Sequence, residues 1–428
     1  MRRLRVAWVS PTAPSSVDSP SMGAYFTRQI LPRLLHRFDI TLFHDNFETW
    51  DGLPAFHYLR LIEMHQVKPF DVVFYQVENR ASANFVRAAI GILPGVTLFH
   101  DFLLSVDGPA PYCSSPWADT IGKVRGTLAT WQKRQNDDTR RGPQAFREAG
   151  YTPVCIFSDE RSKAEYLGNI SSAATEEGTA SRKHSYYLPY PVTPFSLDEG
   201  GSQEIVYCGT PNIEHRAHKM LQAIAGMASL SMNWLIEERE RPQAEELLRE
   251  FDAKNVTLVS GRSPEKWRQM VASARLALHP VFSAFGNGDA YLPISLMAGA
   301  PVIAIRYGAI DCLPDEVVCK IDAGYSEVSA YKKAISALLA LPRDEAGAAG
   351  RHFAEEIHNA DLIASELAGI FVREANYLRA SMQRWESVQA DARAELMREV
   401  VSLLPQSASE DESTTKVITT ALGSLVGA

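Results

Sequence analysis

No stretch of this chain approaches the ~20 consecutive apolar residues that carry a helix across a bilayer. Met1-Arg2-Arg3-Leu4-Arg5 has the charge of a secretory leader, but the apolar run behind it stops at Ser10-Pro11, too short for a leader's core. A basic excess is missing as well. The 43 Lys and Arg face 51 Asp and Glu, a formal charge of -8, which argues against a nucleic-acid binder. An acidic total still leaves room for peripheral membrane contact through a local basic patch. Cysteine is scarce, five residues in all. Cys113, Cys155, Cys208, Cys312 and Cys319 form no C-x-x-C pair or His/Cys cluster, so a zinc site is not indicated. Flanks such as Val154-Cys155-Ile156 read as buried thiols in a reducing, cytoplasmic setting.

What is present is an ordinary globular composition, 46% hydrophobic and 22% charged over 428 residues, enough for two or three domains at about 150 residues each. Short apolar runs alternate with amphipathic stretches. Leu4 to Ser10, Asp39 to Phe43, Phe70 to Tyr75, Val96 to His100 and Pro153 to Ser158 predict strands. Helices are predicted from Gly23, with Phe26, Ile30, Leu34 and Leu35 on one face, and from Ala81 to Ile90. That alternation means parallel β-α-β units. A second series follows, with strands at Glu204 to Gly209, Trp234 to Ile236, Val256 to Val259, Leu276 to His279 and Pro301 to Ala304. Between the series lie a helical insertion at 105–147, a low-complexity run from Ser171 to Ser185, and Leu188-Pro189-Tyr190-Pro191 with Gly200-Gly201. The expected division is 1–195, 196–360, helices packing back over 361–403, and a polar tail at 404–428. Two successive doubly wound domains place ligands at the carboxyl ends of their strands.

Several segments resemble glycosyltransferase family 4, retaining enzymes of the GT-B fold. They are Val9-Ser10-Pro11 with Pro20-Ser21-Met22-Gly23, then Phe70 to Asn79, and Gly95 to Asp101. In the second half Tyr207-Cys208-Gly209 precedes a basic helix start. Leu278-His279-Pro280 then comes before Leu292 to Ala304. The likeness covers roughly 4–104 and 204–375 and rests on the order and spacing of these segments. It implies an α/β fold of two Rossmann-like domains facing an interdomain cleft, with a C-terminal helix crossing back. It also implies transfer of a hexose from a nucleotide sugar to a glycan, lipid-linked or protein hydroxyl acceptor. No metal is implied, and no D-x-D motif stands in the folded part.

Candidate site residues follow. Gly23 opens a helix whose amides can approach a diphosphate; it also reads as a plain N-cap. His100 and Asp101 close a strand where the cleft should be, and the resemblance puts such residues beside the transferred sugar. The alternative is a core histidine and a capping aspartate. Gly209 leads into Thr210 to Lys219. The family carries a basic residue just after the glycine and a lysine about six residues later; here Thr210 and His215 stand in those places. Arg216 and Lys219 are the nearest permanent cations, unless they belong to a solvated helix. Two acids eight residues apart should precede Gly299-Ala300-Pro301, but Gly286 and Ile294 occupy their positions. Asp289 is the candidate substitute for the first, although Asn287-Gly288-Asp289 is also a turn sequence. Ser295 is a candidate ribose contact. Glu237-Glu238 reads as surface charge, and His279-Pro280 as a cleft wall.

Three other readings remain open. They are a GT-B-like subunit that binds without turnover, a sugar-nucleotide epimerase, and a scaffold using 117–147 and the tail. The basic stretch Lys123 to Arg147 is the candidate contact for an anionic acceptor or membrane surface.

Overall fold

The computed structural model describes residues 2–12, 21–45, 52–90, 92–104, 145–149, 151–172, 184–195, 203–283 and 289–402. The first domain runs β1 (Arg5–Val9), α1 (Met22–Leu34), β2 (Asp39–His44), β3 (Ala55–His57), α2 (Leu61–Val67), β4 (Val72–Val77), α3 (Asn84–Ala89), β5 (Val96–Phe99), α4 (Phe146–Ala149), β6 (Val154–Phe157), α5 (Glu160–Ser172) and β7 (Ser185–Tyr187). Its strands pair in parallel in the order β3-β2-β1-β4-β5-β6-β7. Near-continuous apolar strands such as Val6-Ala7-Trp8-Val9 form because helices cover both faces, leaving these side chains wholly buried. Helix α1 starts where the Ser21 hydroxyl accepts the Ala24 amide at 3.1 Å. Its Phe26, Ile30 and Leu34, one turn apart, lie in the core.

The second domain repeats the pattern with β8 (Gln203–Cys208), α6 (Ala217–Ala225), β9 (Met232–Ile236), α7 (Arg241–Glu250), β10 (Val256–Ser260), α8 (Pro264–Ala272), β11 (Ala274–His279), α9 (Tyr291–Met297), β12 (Val302–Ile305), β13 (Cys319–Ile321), α10 (Glu327–Leu339) and α11 (Arg343–Ile357). Its parallel sheet has the order β10-β9-β8-β11-β12-β13. Each sheet therefore reverses direction once, between β1 and β4 and between β8 and β11. Crevices open at the carboxyl ends of such neighbouring strands.

Helix α12 (Ala360–Ser402) returns to the first domain, and its Ile363, Leu367, Phe371 and Leu378 complete that domain's core. The two passages between domains touch. The Val192 amide donates to the His358 carbonyl at 2.6 Å, and the Ala360 amide to Val192 at 3.1 Å. Tyr190 and Val192, with Met22 and Tyr25 of α1, join the core of the second domain. The hinge and the start of α1 are thus packed against the other half.

The expected strands are all present. Ala55–His57, Ser185–Tyr187 and Cys319–Ile321 were not anticipated, because three residues at a sheet edge show no period. Cys155 and Cys208 are buried as expected, but Cys312 is exposed and Cys319 only partly covered, since both lie near the outer edge of the second sheet. Most of the 105–147 insertion, the centre of the Ser171 to Ser185 run, Gly286 and the 404–428 tail lie outside the described residues, as does Cys113. No helix among the described residues is long and apolar enough to cross a membrane.

Candidate active site

At the end of β5 the chain leaves the sheet with His100 buried and Asp101 partly covered. The His100 Nε2 lies 2.9 Å from Gln76 Oε1, and its Nδ1 lies 2.5 Å from the Tyr190 hydroxyl. Burial pushes the imidazole down to about 3, so the ring is neutral. The Gln76 amide in turn donates to Ser10 Oγ at 2.9 Å and Thr27 Oγ1 at 2.8 Å. One polar chain therefore ties the ends of β1, β4 and β5 to the hinge tyrosine. With both ring nitrogens engaged, His100 has a fixed orientation and tautomer pattern before any ligand arrives.

Asp101 accepts the Asn79 amide at 2.7 Å. Burial raises its carboxyl to about 7, and the negative charges of Glu78 and Asp289 add to the rise against Asn79 and Arg80. Asp289 belongs to the second domain, so this coupling brings two of the expected site residues into one electrostatic neighbourhood. Asp289 also accepts the Tyr291 amide at 3.1 Å at the start of α9, and its charge is felt by buried His279. A cavity of about 400 Å³ adjoins them, with Tyr190, His279, Asp289, Leu292, Ser158 and Phe353 in its wall.

Gly23 sits at the start of α1 as expected, but its amide is already taken. It donates to the Glu78 carboxylate at 3.0 Å, and Glu78 is 1% exposed. Burial raises the Glu78 carboxyl while the Gly23 amide and Ser21 hydroxyl oppose that rise. The helix end expected to hold a diphosphate is thus closed by the protein's own carboxyl group.

The loop after β8 is built differently. Gly209 is required there because a Cβ would stand 2.3 Å from the Tyr207 hydroxyl, which folds back over the turn. The same hydroxyl donates to the His215 carbonyl at 3.1 Å, and the His215 amide to Asn212 Oδ1 at 2.8 Å. Arg216 caps α6 in a left-handed conformation, φ 51°. Its guanidinium pairs with Glu327 through Nε at 3.0 Å and through Nη2, and lies over the Phe282 ring. Its charge is therefore met within the domain. Lys219 is partly exposed on α6, and no described residue pairs with its ammonium.

Ser295 requires a correction. It is 2% exposed, donates to the Tyr291 carbonyl at 2.8 Å and accepts the Trp267 indole N–H at 3.0 Å. The α9 face that carries it points into the core, where Ile294 is also wholly buried, so neither can reach a ribose from solvent. Glu237 corrects the reading in the other direction. It is not loose surface charge: Arg262 reaches it at 2.9 Å, Arg239 at 2.8 Å and, from the first domain, Arg80 at 3.1 Å. Burial works against its charge, but Arg262 and Arg80 hold the carboxyl below its ordinary range.

Sequence reasoning missed Gln76, Glu78, Arg80, Tyr190 and Arg262. Gln76 had left a trace, being the one polar residue in Val72-Val73-Phe74-Tyr75-Gln76-Val77. Arg262 had left none beyond its place after a strand.

No family model matches the chain, and no curated protein matches it by sequence. Solved structures match in three dimensions. Sucrose-phosphate synthase (tll1590) from Thermosynechococcus elongatus superposes at TM-score 0.62 and 13% identity, over 87% of this chain and 99% of that one. A glycosyltransferase from Rickettsia africae ESF-5 gives 0.58 at 11% identity, over 87% and 98%. Anabaena Alr3699/HepE in complex with UDP-glucose gives 0.59 at 11% identity, over 87% and 100%. The fold is GT-B. Identities this low establish architecture alone; within it His100 and Asp101 follow β5, His279 ends β11 at the switch point of the second sheet, and Asp289 stands at the start of α9.

Proposed function

We propose that the chain is a glycosyltransferase that moves a hexose from a nucleoside diphosphate sugar to a hydroxyl acceptor, with retention of anomeric configuration, in glycan or glycoconjugate synthesis. The observation that carries this is a cavity of about 400 Å³ lined by Tyr190 of the hinge and by His279 and Asp289 of the second domain, with the Asp289 charge acting on Asp101 of the first. The UDP-glucose complex of Anabaena HepE supports a sugar nucleotide as donor.

Neutral His100, bonded through both ring nitrogens to Gln76 and Tyr190, acts as a positioning residue that holds the Tyr190 hydroxyl beside the cavity. Asp101 and Asp289 can accept from the hydroxyls of the sugar or stabilise positive charge at its anomeric carbon. The bond from that carbon to the diphosphate breaks, the acceptor oxygen bonds to the same face, and the acceptor proton passes to a phosphate oxygen of the leaving group. Positioning and fixed charges supply most of the acceleration. Cations and amide dipoles neutralise the diphosphate, so turnover should persist in a chelator.

A second reading is a GT-B subunit that binds a sugar nucleotide without turnover. Buried Ile294 and core-bound Ser295 favour it, because no acid stands where the resembled family places its ribose contact. One experiment separates the two. Thermal shifts are measured with UDP, GDP, dTDP and their sugars, a ligand at 100 times its Kd adding about 2.7 kcal/mol. The donor that binds is then incubated alone and with hydroxyl acceptors. Release of free sugar or transfer supports the enzyme; binding with no turnover supports the subunit; no shift with any nucleotide defeats both.

A further inference from the structure

We propose that Arg262 is the residue that faces the donor's diphosphate, delivering across space the positive charge that the loop after β8 does not itself carry. This deepens, and rests on, the transferase reading above. The loop leaves β8 at the switch point of the second sheet, where a leaving diphosphate needs a cation. The residues it offers there are Thr210 and His215. Burial, with Arg262 and His279 nearby, pushes His215 down to about 3, so that ring carries no charge. Arg216, the loop's own permanent cation, is committed to Glu327.

Arg262 fills this gap from the end of β10. It is 8% exposed, and its Nη1 donates to the Thr210 hydroxyl at 3.1 Å. Its Nη2 donates to Glu237 at 2.9 Å and to Glu240 at 3.0 Å. Three of a guanidinium's five N–H groups are thereby fixed, and no described residue engages the other two. The His215 Nδ1 is buried and likewise lacks a partner among the described residues. Buried polar atoms without partners call for a ligand or water. The His215 ring that carries this atom lies close enough to Arg262 to feel its charge, and the guanidinium's fork suits phosphate oxygens. The surrounding charges also favour an anion. Glu237 and Glu240 are outnumbered by Arg80, Arg239 and Arg262, all joined through Glu237. The two carboxylates aim the guanidinium and do not cancel the cluster.

The test is isothermal titration of the full-length chain with UDP, GDP and dTDP and with the matching nucleosides, which lack phosphate. Arg262→Ala should weaken the diphosphate that binds wild type roughly tenfold or more, and leave its nucleoside within about twofold. Adding Thr210→Arg to Arg262→Ala should recover most of the lost affinity, which a purely structural role for Arg262 would not allow. Should Arg262→Ala fail to fold, Arg262→Lys against Arg262→Gln reads the same charge dependence, with the lysine form binding more tightly. Equal losses for diphosphate and nucleoside, or no loss at all, or equal binding by the lysine and glutamine forms, would overturn the proposal while leaving the transferase reading intact. If wild type binds none of the three diphosphates, the transferase reading itself falls and takes this proposal with it.

Discussion

After β1 the chain passes Ser10 and enters α1, whose first amides are closed by buried Glu78. After β8, at the equivalent place in the second sheet, it passes Gly209 and enters α6 beside His215 and Arg262. The topology is the same on both sides, strand for strand around the switch point. The electrostatics are opposite. One helix start is neutralised from within by a carboxylate; the other is bordered by an arginine with N–H groups to spare. A Rossmann-like half thus provides a place for an anion without obliging the sequence to leave it free, and which half keeps the place open is decided by single residues arriving from other strands.

Four further substitutions would break or sharpen this contrast. The largest effect should come from Arg216→Ala. Glu327 is wholly buried, and removing its partner leaves an unpaired interior carboxylate, costing about 3–5 kcal/mol in urea unfolding. Nucleoside diphosphate affinity of the folded fraction should stay within about twofold. A loss of affinity matching that of Arg262→Ala would return Arg216 to the phosphate site and erase the distinction between the two arginines.

Next comes Glu78→Ala. It leaves the Gly23 amide buried without an acceptor, partly offset by relief of a desolvated carboxyl, for a net cost of about 1–2 kcal/mol. Unchanged stability would mean that α1 does not need its internal acceptor, and the contrast between the two helix starts would lose its meaning.

The third effect is a matter of pH. Asp101 is raised in the folded state to about 7, far above the ordinary carboxylate range. The folded protein therefore holds this proton more tightly than the unfolded chain. The stabilisation it brings is complete below about pH 4 and is lost as pH rises through about 7. Thermal melts of Asp101→Asn should gain on wild type as pH increases across that window, while Asp289→Asn should shift the wild-type dependence modestly toward lower pH. Parallel melting curves for wild type and Asp101→Asn at all pH values would show that burial does not raise Asp101, and an Asp289→Asn variant with the wild-type pH dependence would show that the two aspartates do not share the cleft.

The alternation of apolar runs with amphipathic stretches was enough to predict the strands of both sheets, because buried parallel strands must be apolar throughout and their helices must be apolar on one face. The place of His100 and Asp101 just beyond a strand end was also legible, since the apolar run of β5 stops there. Arg216 and Ser295 show the limit. A basic residue at a helix start and a hydroxyl on a short helix look alike whether they face a ligand or a buried partner. Glu327 and Trp267, which settle the matter, lie 111 and 28 residues away.

Local sequence determined the elements, their parallel pairing and the strand ends at which a site could lie, because each of these follows from the periodicity of residues near one another in the chain. Tertiary structure alone decided which polar groups remained for a ligand. Glu78 closing α1 and Arg262 reaching Thr210 are meetings of distant segments, and a charge is available or spent according to what packing sets within about 3 Å of it.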